Sequence, residues 1–141
     1  MSFKCRDAAR LASSIEEWLT QKVHAAGAVG GIVGLSGGID SAVVAALLKR
    51  AFGSEMLSVL LPCGSIPKDK EDALLAVKAF DLPYREVDLS PVYDAFVHAF
   101  GEPLSPMAAA NIKPRLRMNA LYALAQTRRF LVCGTGNKAE I

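Results

Sequence analysis

The residues best suited to chemistry stand together in Gly34-Leu35-Ser36-Gly37-Gly38-Ile39-Asp40-Ser41. A glycine turn that opens a helix gathers several backbone N–H groups at the positive end of the helix dipole, a site for an anion and for phosphate above all. Gly37 and Gly38 permit backbone conformations and a close approach that a Cβ would obstruct, while Ser36 and Ser41 add hydroxyl donors. Asp40 is the odd member. A carboxylate among phosphate-binding amides repels the ligand unless a cation lies between them, so Asp40 points to bound Mg²⁺, which takes oxygen ligands. The loop is not of the Walker A type, because Asp precedes Ser41 where that motif carries Lys. A plainer alternative stays open at this level: a glycine-rich turn with Asp40 as a first-turn partner of the dipole.

Few other residues offer chemistry. Lys113, Arg115, Arg117, Arg128 and Arg129 form a local basic concentration, which on charge alone reads as a solvated helix face. His24 and His98 fall in no motif and read as surface or packing residues. Cys5, Cys63 and Cys133 are odd in number and widely spaced, without metal-type pairing. Cys133, in the run Phe130-Leu131-Val132-Cys133, reads as a small buried hydrophobe.

These residues need elements to position them. Val29–Val33 is a short apolar run that predicts a strand, and Ala42–Phe52 predicts a helix apolar nearly all round and therefore buried. Upstream, Leu11, Ile15, Trp18, Leu19 and Val23 recur at helical spacing, with Trp18 expected to pack on its own sheet. Ser58–Pro62 predicts a second strand and Pro67–Phe80 a third helix, whose acidic start is helix chemistry rather than catalysis. Tyr84–Leu89 predicts a third strand, and Val92–Ala99 a short helix. Gly101–Met107 reads as a loop and Ile112–Thr127 as a helix with Pro114 in its first turn, and Phe130–Cys133 predicts a fourth strand. Strands and helices alternate, with connections too long for hairpins. The fold class is α/β, an open parallel sheet with helices on both faces. In such sheets ligands lie beyond the C-terminal strand ends where strand order reverses, so adjacency of the first and fourth strands would turn Thr135–Glu140 toward the glycine loop.

Composition excludes several classes of function. The chain has 141 residues, 52% hydrophobic and 21% charged, which suits one globular domain over 1–141. A net charge of +2 gives no case for nucleic-acid binding. No run of about 18 apolar residues suggests a membrane helix, and Met1–Arg10 has no apolar secretory segment, so the expected setting is the cytoplasm.

Ser36-Gly37-Gly38-Ile39-Asp40-Ser41 resembles the pyrophosphate loop of the N-type ATP pyrophosphatase superfamily. Within it, Asn111-Ile112-Lys113-Pro114-Arg115-Leu116-Arg117-Met118 with Tyr122, and Gly134-Thr135-Gly136-Asn137-Lys138-Ala139-Glu140, are similar to NAD synthetases. The resemblance implies an adenine nucleotide alpha hydrolase-like sheet, with the first and fourth strands side by side. It implies amidation of deamido-NAD to NAD through an acyl-adenylate, releasing AMP and pyrophosphate. With no glutaminase-sized segment, ammonia is the expected nitrogen donor. Carried over by position, Gly34 through Ser41 and Thr135 would bind ATP, Arg115 would bind deamido-NAD, and Asp40 and Glu140 would be Mg²⁺ ligands. A homodimer is expected. The family often has Ala at the position of Pro114, and it continues past Ile141 into further substrate-binding elements, so the chain reads as an N-terminal portion, incomplete at its C-terminus. Two rivals remain: another adenylating pyrophosphatase of tRNA-modifying or sulfur-transfer type, and a catalytically incomplete nucleotide-binding or dimerising module.

Overall fold

The computed structural model describes residues 7–135. A four-stranded parallel sheet has the order β3-β2-β1-β4, with β1 Gly30–Gly34, β2 Met56–Leu60, β3 Tyr84–Glu86 and β4 Phe130–Val132. Five helices connect the strands: α1 Ala8–Ala25, α2 Ile39–Phe52, α3 Pro67–Phe80, α4 Ser90–His98 and α5 Pro106–Arg128. The first and fourth strands are neighbours, pairing Ile32 with Val132. β1 is therefore the strand from which the chain runs outward in both directions, the arrangement that opens a crevice at the strand ends.

Alternation along the strands divides the core. Val33, Met56 and Leu60 face Leu19, Ala45, Leu48 and Ala73, from α1, α2 and α3. Ile32, Leu57 and Val59 face Leu121, Ala125 and Leu89 on the α4 and α5 side. Both faces are covered, so the central strands read as continuous apolar runs rather than alternating ones. Two glycines of β1 make room for this packing: a Cβ at Gly30 would lie 1.7 Å from Glu55 O, and one at Gly31 would lie 2.6 Å from Leu48 Cδ2.

Three expectations change. α5 begins at Pro106, not near Ile112, because Ser105 caps it by accepting from the Ala108 amide at 3.2 Å and Pro106 supplies a preformed first turn. Pro114 consequently lies inside the helix, where it has no N–H to give to the carbonyl four residues back. α2 is not buried all round: Ser41, Ala45 and Leu48 are buried, whereas Ile39 and Val43 are exposed. Trp18 is 55% exposed, its ring lying beneath Lys22 Nζ at 5.9 Å rather than against the sheet. No described helix is long and apolar enough to cross a membrane.

Candidate functional site

The loop after β1 is stitched by its own serines. Ser36 N donates to Ser41 Oγ at 3.1 Å, Gly38 N donates to Ser36 Oγ at 3.3 Å, and Ser41 Oγ donates to Gly38 O at 3.1 Å. Ser41 is buried and its single proton is spent on Gly38 O, so in the 3.1 Å contact between the two hydroxyls Ser36 is the donor. Ser41 thus builds the loop, whereas exposed Ser36 faces outward. The amides of Ile39, Asp40 and Ser41 lie in the first turn of α2, before the helix supplies acceptors, and Ala42 N is the first to reach back, to Gly38 O at 3.3 Å.

The two glycines play different parts. Gly37 has φ +91°, and a Cβ there would lie 2.6 Å from the backbone O of Asp69 on α3. Only glycine gives both that conformation and that approach. Gly38, the N-cap of α2, has φ −81°, and a Cβ would meet only Ser36 Oγ at 3.5 Å, so its glycine is not demanded by backbone or space.

Beside the loop, β1 and β2 diverge around a cavity of about 520 Å³, within the ordinary size of small-molecule sites. Leu35, Leu60, Leu61, Ile66 and Leu121 give it apolar walls, and Ser36, Ser65, Asp69, Lys70 and Arg117 are its polar fringe. Lys70 is paired with Glu86 at 3.0 Å. Arg117 forms no ion pair with a described carboxylate; its Nε donates to Leu61 O at 3.0 Å and its Nη2 to Ser65 Oγ at 3.3 Å. The lining reaches the glycine turn at Ser36, and the open amides of a helix start are a general site for an anion.

The sequence profile of NAD synthase matches residues 11–141. The chain belongs to this family. It is 43% identical over 132 residues to an NH3-dependent NAD(+) synthetase of Finegoldia magna, covering 94% of this chain and 55% of that protein. Among solved structures, the NH3-dependent NAD synthetase of Campylobacter jejuni in complex with nitrate superposes with a TM-score of 0.86 at 33% identity, covering 94% of this chain and 58% of the other. NMN synthetase from Francisella tularensis superposes with a TM-score of 0.87 at 32% identity, over 94% and 56% of the two chains. The chain spans about half the length of the curated relatives it matches.

The residues singled out from sequence fall at different distances from the cavity. Gly34, Leu35 and Ser36 line the cavity, while Gly37 through Ser41 turn the chain into α2 beside it. Asp40 is exposed in the first turn of α2, with no ion pair to a described cation. Thr135 is exposed just beyond β4, whose Cys133 N donates to Ile32 O at 2.9 Å, so it lies at the same edge of the sheet as the loop but does not line the cavity. Glu140 lies outside the described residues. Arg115 is exposed on α5 and does not line the cavity, and with α5 starting at Pro106 it sits in mid-helix rather than in the first turn. His24 and His98 are exposed, and Cys133 is only partly buried, although that burial pushes its thiol pKa up.

The cavity residue that sequence reasoning passed over is Arg117. Taken with its basic neighbours it looked solvated. One helical turn repeated from Arg117 reaches Leu121 and then Ala125, both buried, so Arg117 begins the stripe that faces the sheet, whereas Arg115 points elsewhere. The Leu61–Pro67 turn was read only as a strand end and a helix start, yet it provides much of the cavity wall.

Proposed function

We propose that this chain carries the ATP-activating part of an ammonia-dependent NAD synthetase. The observation that carries the reading is the meeting of the cavity between β1 and β2 with the glycine turn at Ser36, three residues before α2 begins at Ile39 with its open first-turn amides. ATP places its base in the slot and its phosphates at the amides of Ile39, Asp40 and Ser41, with the Ser36 hydroxyl free to donate to phosphate only by giving up its contact with Ser41. The nicotinate carboxylate of deamido-NAD attacks the α-phosphorus, the bond to pyrophosphate breaks, and ammonia then displaces AMP from the acyl-adenylate and forms the amide of NAD. The nucleophile of the first step is substrate, so the protein contributes position and electrostatic stabilisation of the departing pyrophosphate. Arg115 serves deamido-NAD with a fork of donors suited to phosphate or carboxylate.

The donor chemistry of the loop fits Mg²⁺. Asp40 is an exposed carboxylate beside a phosphate-type turn, although no group of described His, Cys, Asp or Glu residues could hold a metal alone. Mg²⁺ is commonly held by one or two carboxylates with substrate phosphates and water, and Asp40 with Glu140 supplies that number. When bound, the ion neutralises phosphate charge. Thr135 completes the ATP contacts from the β4 side. The protein acts in the cytoplasm as a homodimer, with no nucleic-acid or membrane partner. Exposed Phe96 on α4, Phe100 in the turn after it, and Met118 and Tyr122 on α5 are compatible with pairing, and a monomer by light scattering at high concentration argues against it.

The test is calorimetric titration of the chain with ATP with and without Mg²⁺, beside ATP/pyrophosphate exchange with deamido-NAD, nicotinate mononucleotide or tRNA as acceptor. Mg²⁺-dependent ATP binding weakened in Asp40→Ala, and exchange dependent on deamido-NAD, are expected. Exchange dependent on tRNA overturns the acceptor assignment. ATP binding without NAD formation by the chain supports the nucleotide-binding module instead.

A further inference from the structure

We propose that Arg117 is a positioning residue of the cavity, standing in for the β1 strand where β1 departs to form the glycine loop. The inference rests on reading the cavity as an ATP site. The backbone ladder gives the reason. Leu35 N donates to Val59 O at 2.8 Å, the last bond from the β1 segment to β2. Two residues further the parallel pattern calls for a donor to Leu61 O, but the chain has turned away through Ser36 and Gly37.

On the other edge, the carbonyls of Leu60 and Pro62 are taken by the amides of Val87 and Leu89, both at 2.8 Å. Leu61 O faces the gap. Arg117 Nε supplies the missing donor at 3.0 Å, from the helix that crosses beneath. Leu61 is buried, and a buried carbonyl left without a donor is costly.

The same guanidinium holds the next turn. Its Nη2 donates to Ser65 Oγ at 3.3 Å, and that oxygen also accepts from Cys63 N at 3.3 Å. Between them Gly64, with φ +67°, gives its amide to Ser90 Oγ at 3.1 Å. Lys113, one helical turn before Arg117, rests over the Tyr93 ring at 5.1 Å, and its Nζ would lie 3.3 Å from a Cβ at Gly64. The Leu61–Ser65 turn, which is the β2 wall of the cavity, is therefore fixed to α5 through Arg117 and to α4 through Ser90. A single planar fork bonds a strand carbonyl and a turn hydroxyl together, which a lysine ammonium on a flexible stem does less well.

The experiment uses the 141-residue chain and Arg117→Met, Arg117→Lys, Ser65→Ala and the Arg117→Met/Ser65→Ala double variant. Amide hydrogen exchange and Mg²⁺-ATP affinity are read on samples whose circular dichroism shows them folded. Arg117→Met is expected to speed exchange at Cys63 and Gly64 about tenfold and to weaken Mg²⁺-ATP by about tenfold, the scale of one charge-assisted hydrogen bond. Arg117→Lys is expected to recover part of both, and Ser65→Ala, which also takes the acceptor from Cys63 N, to add exchange at Cys63 but almost no further loss of Mg²⁺-ATP affinity in the Arg117→Met background. Parental exchange and affinity in both Arg117 variants overturn the proposal, as does full additivity of the affinity losses in the double variant. If the parent does not bind ATP, the functional reading fails, and exchange at Cys63 and Gly64 still decides the positioning role. Should Arg117→Met not fold, Arg117→Lys carries the same comparison.

Discussion

Gly37→Ala is the sharpest single perturbation of the loop. Gly37 has φ +91°, and an alanine held in the left-handed region costs roughly 1–2 kcal/mol. Its Cβ would also stand 2.6 Å from Asp69 O, a backbone atom of α3 that cannot rotate away. Relieving that contact moves either the loop or the first turn of α3, and overpacking of this kind costs about 1–3 kcal/mol. Together the two give about 2–5 kcal/mol, a large share of the roughly 5–15 kcal/mol by which domains are stable. Because Asp69 also lines the cavity, the displacement should weaken Mg²⁺-ATP as well.

The neighbouring glycine is the control. Gly38→Ala loses a modest N-cap preference and gains a smaller unfolded-state entropy, with no close contact, so the net change is expected within about 1 kcal/mol. Urea unfolding at constant m-value measures both. A Gly37→Ala cost below about 1 kcal/mol, or an equal cost at Gly38, would refute the claim that the loop is locked against α3.

Three further outcomes are expected. Ser58 Oγ is fully buried in β2 without a hydrogen-bond partner, so Ser58→Ala should be neutral or stabilising by up to about 1 kcal/mol in urea unfolding, and a clear loss would point to a bond from that hydroxyl. Pro114→Ala should raise stability by about 1–3 kcal/mol, by restoring the bond to Ala110 O inside α5, and destabilisation would show that the helix needs the break. The backbone amide of Ser90 donates to Asp88 Oδ1 at 3.0 Å, and this bond, then the Ser90 hydroxyl, holds the Asp88 pKa below its ordinary 3.8. A carboxyl whose folded pKa is depressed stabilises above its unfolded value and loses that contribution as pH falls through the folded one. Asp88→Asn should therefore flatten the fall in stability with acid below about pH 4, and an unchanged acid limb in urea titrations from pH 6 to 2 would contradict it.

The order of elements was legible because strong signals were local. An apolar run bounded by glycine marked β1, a run ending at Pro62 marked β2, which the structure starts earlier at Met56 and ends at Leu60, and Pro67 with Asp69 marked the start of α3, whose bounds the structure reproduces. The start of α5 was missed because Gly101, Pro103 and Pro106 together resemble a loop, while the Ser105 cap and a first-turn proline in fact begin a helix there. Exposure of Trp18 and Val43 was not legible either. Apolar character sets what a residue gains by burial, not whether the fold has an element to cover it. The chemistry of Gly34–Ser41 could be read at the level of one turn. The division of labour within it, with Ser41 spent on the loop and Gly37 pressed on Asp69, depends on where α3 lies.

The cavity follows from the way two parallel strands end. The chain after β1 turns away at Ser36 to begin a helix, while the chain after β2 still bonds the Val87–Leu89 segment as far as Pro62, so the edge at Leu61 loses its partner. That loss opens space for a ligand and also leaves a carbonyl to be satisfied. Water could meet it only by filling the slot that an apolar ligand body needs. A side chain from the helix beneath meets it without doing so, and Arg117 is long enough to span the distance while offering a second donor to Ser65. The glycine loop and Arg117 are thus two consequences of one departure from the sheet: the first is the turn that leaves the Leu61 carbonyl without a strand partner, and the second supplies the donor that carbonyl lacks. A variant that breaks only the second should retain the loop's preference for an anion and lose affinity through a looser wall.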